Sequence, residues 1–158
     1  MQPKLVEKQA FKVVGMRGTF TLQKNCIGDL WAQFNPRIAE IKTIVNPNVS
    51  FGICECTGEG EANEESEFNY VAGVETDSAE DVPEGMITKT VPAAKYAVFT
   101  HKGSVDKMGE TYNYIYGTWF PQSGYKRAEA CDLEVYSERF TGPYDEGSEI
   151  DICVPICG

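Results

Sequence analysis

SEFNYVAGV (residues 66–74) and SEIDICVPI (residues 148–156) carry one pattern written twice: Ser, Glu, apolar, Asn or Asp, apolar, in step. Each copy closes a longer matching block. Upstream of the first lie FKVVGMRGTF (11–20) and GDLWAQF (28–34); upstream of the second lie AVFTHKGSV (97–105) and YIYGTWF (114–120). Two copies of one unit pair about a pseudo-twofold axis, and the seam between them is a natural place for a ligand pocket. Tryptophan and glutamate occur in both halves, so the seam is expected to be aromatic and acidic.

The apolar run from residue 5 to about Phe20 reads as a strand, with Gly18 marking a bend or bulge. In residues 26–41, Ile27, Leu30, Trp31, Phe34, Ile38 and Ile41 recur at spacings of three and four, which predicts an amphipathic helix. Asn25 is placed to cap it, and Pro36 to split it near Asn35. VSFGICEC (49–56) and EFNYVAGVE (67–75) read as a hairpin joined by the acidic turn 57–66, and residues 76–85 as the linker between halves. Residues 86–103 read as a strand pair or as one long strand interrupted at Pro92-Ala93-Ala94. Ser104 caps a helix over about 105–120 with the stripe Val105, Met108, Tyr112, Ile115, Tyr116 and Trp119, ended by Pro121 and Gly124. In CDLEVYSERF (131–140), Leu133 and Val135 point one way, and Glu134 and Tyr136 the other. The last strand is EIDICVPI. The predicted class is α+β: two tandem βαββ repeats forming an antiparallel sheet with both helices on one face and a pseudo-twofold ligand cleft. One domain is expected over residues 1–158, with repeat one at about 1–76 and repeat two at about 86–158.

A net charge of −10 repels phosphate backbones and anionic membranes, so neither nucleic acid nor membrane is expected as a direct partner. A cationic or neutral small molecule is the better match. No segment is long and apolar enough to span a bilayer, and the start, MQPKLVEKQAF, has no apolar signal core. A cytoplasmic location with reduced cysteines follows as the expectation for Cys26, Cys54, Cys56, Cys131, Cys153 and Cys157. The cysteine spacings and the single histidine, His101, do not suit a metal site, and no glycine-rich phosphate loop indicates a nucleotide, so no cofactor is expected. His101 and Ser104 lack both a nucleophile elbow and an orienting acid, so no catalytic residue is assigned to them.

Two residue groups remain as candidates. Glu134, Glu149 and Glu67 are strand carboxylates near the expected seam. An ionised carboxylate in an aromatic cleft needs a partner to offset its desolvation, so it would select cations or serve as a general acid/base. The aromatic residues Trp31, Phe34, Phe51, Tyr70, Tyr112, Tyr116, Trp119 and Phe120 fit core packing. Two helices that each turn a tryptophan toward the sheet also leave a slot in which planar ligands stack.

The ordered motifs V-x-G-V-E, P-x-G-M, K-Y-A-V-F-x-H-x-G, the T-W-x-P helix end, E-V-Y and S-E-I-D-I-x-V-P-I make most of the chain similar to the GyrI-like effector-binding domains, most strongly from about residue 68 to 156. Such domains also serve as ligand sensors of AraC-type and MerR-type regulators. The resemblance implies a cleft between tandem βαββ units that binds lipophilic, often cationic, aromatic compounds. By position Glu134 matches the family's cleft glutamate, with Glu149 second, and Trp119 matches its helix-end tryptophan. The ligand-binding set expected on this basis is Trp31, Phe34, Phe51, Tyr70, Tyr112, Trp119, Glu134, Tyr136 and Glu149. Some relatives are hydrolases of reactive xenobiotics, which would here use Glu134 or Glu149 with Tyr112 or Tyr70 to activate water. The family's founding member instead inhibits a partner enzyme, so a protein partner or a homodimer is a further expectation. No helix-turn-helix precedes the first strand, so the chain is expected to act as a stand-alone module that does not itself bind DNA.

Overall fold

The computed structural model describes residues 2–20, 27–46, 48–56, 68–77, 82–128 and 130–157. Alternating apolar residues build nine strands: β1 (Lys4–Lys8), β2 (Phe11–Phe20), β3 (Ser50–Cys56), β4 (Phe68–Thr76), β5 (Ile87–Val91), β6 (Ala94–Lys102), β7 (Lys126–Arg127), β8 (Asp132–Tyr136) and β9 (Glu149–Cys157). All pairings are antiparallel, in the order β1-β6-β9-β8-β3-β4-β2-β5, with β7 paired to β9. The two repeats appear as β2-β3-β4 and β6-β8-β9, each with a helix after its first strand. They meet at the β3–β8 pair, where Gly52 stands opposite Glu134 and Cys54 opposite Asp132.

The first apolar run is not one strand. It divides at Gln9-Ala10, as the second half's run divides at Pro92-Ala93. β1 then pairs with β6 and β5 with β2. Lys8↔Ala94 and Phe11↔Val91 keep one register, so the two bent runs make a single interrupted ladder. The ends of the sheet are therefore joined through two-residue links, which forces the sheet to curl. Inside the curl pack Val13, Phe51, Ile53, Val71, Val91, Tyr96, Leu133 and Cys153. Gly18, expected at a bend or bulge, pairs with Tyr70 in an unbroken register.

Both helices lie on the opposite face. α1 (Ile27–Phe34) buries Leu30 and Phe34 against Val14, Tyr70, Ala72 and Val74. Pro36 has no N–H to continue the α-ladder, and residues Asn35–Glu40 form a 3-10 turn, as expected for a split at Asn35. The expected cap at Asn25 lies outside the described residues. In the second repeat the Ser104 hydroxyl accepts the Asp106 N–H at 3.2 Å and opens a 3-10 turn, Val105–Lys107. It leads into α2 (Met108–Tyr114). A π-turn, Ile115–Trp119, follows, then α3 (Phe120–Ser123). Pro121 does not end this helix as expected. It occupies the first turn of α3, where its missing N–H is not needed, and termination falls to Gly124 at φ 80°. His101 is buried, with Nε2 donating to the Ser104 carbonyl at 2.9 Å and Nδ1 paired with the Thr111 hydroxyl at 2.7 Å. It ties α2 to β6. No helix among the described residues is long and apolar enough to cross a membrane.

Candidate functional site

β8 alternates as its sequence requires. Leu133 is buried in the curl, and Asp132, Glu134 and Tyr136 face the helices across the seam. Glu134 is 7% exposed and lies at the meeting point of both repeats. Its Oε1 accepts the hydroxyls of Tyr70 and Tyr136, each at 2.8 Å, and its Oε2 accepts that of Tyr112 at 2.6 Å. Tyr70 comes from β4 and Tyr112 from α2, so one carboxylate gathers donors from a strand of one repeat and from a helix and strand of the other. The Trp31 indole N–H of α1 donates to the Tyr70 hydroxyl at 3.2 Å, and its ring meets Tyr136 edge-on at 5.1 Å. Phe140 continues the aromatic wall, edge-on to Tyr136.

This arrangement depends on Gly52. A Cβ there would lie 1.9 Å from the Tyr70 hydroxyl oxygen and 3.1 Å from Glu134 Oε1. Lacking one, β3 leaves the space through which Tyr70 reaches across the seam. Burial, and after it the negative charge of Glu134, push the phenols of Tyr70, Tyr112 and Tyr136 well above the ordinary tyrosine range. These groups therefore stay protonated hydrogen-bond donors at neutral pH. Among the described residues no Lys, Arg or His forms an ion pair with Glu134.

A second carboxylate lies two residues away on the same face. Asp132 accepts from Arg127 Nη2 at 3.0 Å through Oδ1, and from the Tyr116 hydroxyl through Oδ2. Arg127 also donates to the carbonyls of Ala128 (3.3 Å) and Ala130 (2.8 Å). Burial raises the Asp132 carboxyl above the usual aspartate range, and the Arg127 guanidinium and the Tyr116 hydroxyl oppose that rise. The Tyr116 phenol is raised in turn, by burial and then by Asp132. Tyr112, Tyr116 and Phe120 stack along the helix, with centroids 6.5 and 5.5 Å apart.

Five of the nine expected residues come together: Trp31, Tyr70, Tyr112, Glu134 and Tyr136. Phe34 is wholly buried beneath Trp31 and supports it edge-on at 6.0 Å. Phe51 belongs to the interior of the curl, because it is one residue from Gly52 and so faces the other way. Glu149 has the parity of Cys153 on β9, the face away from the helices, so it does not join Glu134. Trp119 turns from the seam and packs edge-on to Phe99 at 5.1 Å and flat on Tyr125 at 6.0 Å. Glu67 lies outside the described residues. The sequence reading missed Gly52, Asp132 and Arg127. Strict alternation in DLEVY placed Asp132 beside Glu134 in principle, but nothing local marked Arg127 as its partner.

The family model described as GyrI-like small molecule binding domain matches residues 1–156. The transcriptional regulator BrlR of Pseudomonas aeruginosa is 42% identical over 156 residues, which cover 99% of this chain and 56% of the regulator. The chain thus spans a little over half the length of that curated relative. The solved structure of SAV2435 bound to tetraphenylphosphonium matches with a TM-score of 0.77 and 18% identity, over 100% of this chain and 95% of that one. The C-terminal domain of EcmrR matches at 0.67 and 18%, over 99% and 97%. At such identities the structures establish likeness of fold.

Proposed function

Because the chain belongs to the GyrI-like small-molecule-binding family, we propose that its seam binds lipophilic aromatic cations, with Glu134 as counter-charge and Trp31, Tyr70, Tyr112 and Tyr136 as walls. The observation that carries this reading is a buried carboxylate held by three neutral phenols, with no cation beside it among the described residues. Phenols solvate the charge but do not neutralise it. A cation entering the seam would gain Coulomb attraction in a medium less polar than water, together with roughly 0.5–2 kcal/mol per well-placed ring from cation–π attraction. The same phenols favour binding over hydrolysis, since they occupy the oxygens that would otherwise activate water. The binding of tetraphenylphosphonium by SAV2435 supports a cationic ligand of this size and shape. Likeness to part of a transcriptional regulator supports a role in reporting such compounds, with the effect passed to DNA through other segments or partners.

The test is tryptophan fluorescence with tetraphenylphosphonium and neutral triphenylphosphine oxide. It uses a Trp119→Phe background, so that Trp31 is the sole reporter. Saturable quenching by the cation, with affinity falling about tenfold or more in Glu134→Gln, is expected; tenfold corresponds to about 1.4 kcal/mol. Equal affinity for the neutral compound, or no change in Glu134→Gln, would overturn the charge-selective reading.

A further inference from the structure

Phe51 leaves the seam for the other face of β3, and a second groove begins there. The ladder between the two bent runs stops at Lys8↔Ala94 and resumes at Phe11↔Val91, so Ala10 faces Pro92, which has no N–H to continue the pairing. The chain bends at this break. Beside the bend opens a groove of about 280 Å³ lined by Lys8, Gln9, Ala10, Phe11, Phe51 and Glu75. Its floor is aromatic, with the rings of Phe11 and Phe51 centred 5.1 Å apart and tilted at 41°. Its walls carry opposite charges. Lys8 shares the parity of Val6, and Glu75 that of Val71, so both belong to the inner face of the curl, and both are half-buried. The Lys8 ammonium opposes the rise that burial imposes on the Cys153 thiol, which places its charged end over the interior.

Half-buried opposite charges that can reach each other ordinarily pair. Lys8 and Glu75 line one groove, yet no ion pair joins them among the described residues. The space between them suits a molecule that carries both charges. We propose that this groove binds a free aromatic α-amino acid, with its carboxylate on Lys8, its ammonium on Glu75 and its ring on Phe11 and Phe51. The volume falls just below the roughly 300–1,000 Å³ of pockets for drug-sized ligands, which limits the guest to about one residue in size. A guest with a single charge is attracted by one wall and repelled by the other, so the groove favours the zwitterion. Phe51 and Gly52 are adjacent and face opposite ways, so the groove is separate from the seam and does not rest on the cation-binding reading.

The test is titration of the isotope-labelled full chain, followed by its amide resonances at neutral pH. The probes are L-phenylalanine, phenethylamine, which keeps only the ammonium, and 3-phenylpropionate, which keeps only the carboxylate. Phenylalanine is expected to give saturable shifts centred on Gln9, Ala10, Phe11 and Glu75, and to bind about fivefold or more tightly than either singly charged probe, the scale of a partly exposed ion pair. Lys8→Gln should weaken phenylalanine and phenylpropionate about fivefold and leave phenethylamine unchanged. Glu75→Gln should weaken phenylalanine and phenethylamine by a similar factor and leave phenylpropionate unchanged. Loss of packing would weaken all three probes alike, and near-UV circular dichroism confirms the fold of each variant. The proposal is overturned by the absence of saturable shifts with phenylalanine, by shifts centred on Glu134 and its tyrosines, by equal affinity for the three probes, or by folded variants that weaken all three equally.

Discussion

Gly52→Ala adds one methyl group to an extended strand, a change that ordinarily stabilises a protein by about 0.4–1 kcal/mol through the unfolded chain. Here the opposite sign is expected. The new Cβ would lie 1.9 Å from the Tyr70 hydroxyl oxygen and 2.6 Å from its Cζ, distances that backbone flexing alone does not relieve. Tyr70 is fully buried, so its ring is packed on all sides against the protein rather than against solvent. Retreat by the ångström or more that contact requires would stretch its 2.8 Å bond to Glu134 and its 3.2 Å bond from Trp31 beyond hydrogen-bonding range. Crowding of a packed core costs about 1–3 kcal/mol, and loss of a hydrogen bond to a charged group about 1.5–3 kcal/mol. These overlap, so a destabilisation near 3 kcal/mol is expected. For a chain of this length that lowers Tm by roughly 6–12 °C. Urea denaturation gives the value directly. A double-mutant cycle with Tyr70→Phe, which removes the nearest clashing atom, should show a coupling of about 1 kcal/mol or more. A Gly52→Ala protein as stable as wild type, or more stable, would refute the claim that this glycine makes room for the Tyr70–Glu134 contact.

Two further measurements follow from protonation and exposure. Burial is the main cause that holds the phenols of Tyr70, Tyr96, Tyr112, Tyr116 and Tyr136 above the ordinary value near 10, with Tyr96 at about 12. Above pH 10 the unfolded chain therefore releases phenolic protons that the folded chain retains, so stability falls as pH rises. Absorbance at 295 nm should show an early rise while the fold persists and a second that coincides with loss of near-UV circular dichroism; complete titration near pH 10 in a still-folded protein would contradict the buried network. Burial likewise raises the Cys153 thiol to about 12, while Cys157 is exposed. Brief alkylation of the native protein read by mass spectrometry should modify Cys157 and spare Cys153 until denaturant is added, and equal labelling would place Cys153 outside the core.

The duplicated pattern made the architecture legible, because the same spacing of apolar residues must bury the same faces twice. Alternation in DLEVY likewise assigned Glu134 and Tyr136 to one face and Leu133 to the other. What remained hidden required pairing information. Phe51, Gly52 and Cys54 lie in one short strand, and an offset of a single residue decides whether an aromatic ring enters the seam or the interior of the curl. Glu149 looked equivalent to Glu134 by composition, but its parity on β9 sends it to the other face. Trp119 fell within the helical stripe at α spacing, yet the π-turn over Ile115–Trp119 shifts the following residues around the helix axis and carries it toward Phe99 and Tyr125. Pro121 looked like a terminator because a proline after an apolar stripe usually is one. At the first turn of a new helical segment the same chemistry is harmless.

Repetition of the backbone with divergence of the side chains explains why a two-copy fold carries one candidate charge site. The cross-strand pair Cys54–Tyr70 in the first repeat has the same place as Glu134–Ile152 in the second, and Gly52, one position before Ile53, matches Asp132, one position before Leu133. A symmetric seam with glutamates at both Cys54 and Glu134 would put two carboxylates beside the axis, each raising the cost of ionising the other. The chain instead divides the roles. Repeat two supplies the acid, and repeat one supplies the phenol of Tyr70, the indole of Trp31 and the gap at Gly52 that lets them reach it. Each half lacks what the other provides, so neither repeat alone contains the constellation, and it exists only where β3 meets β8.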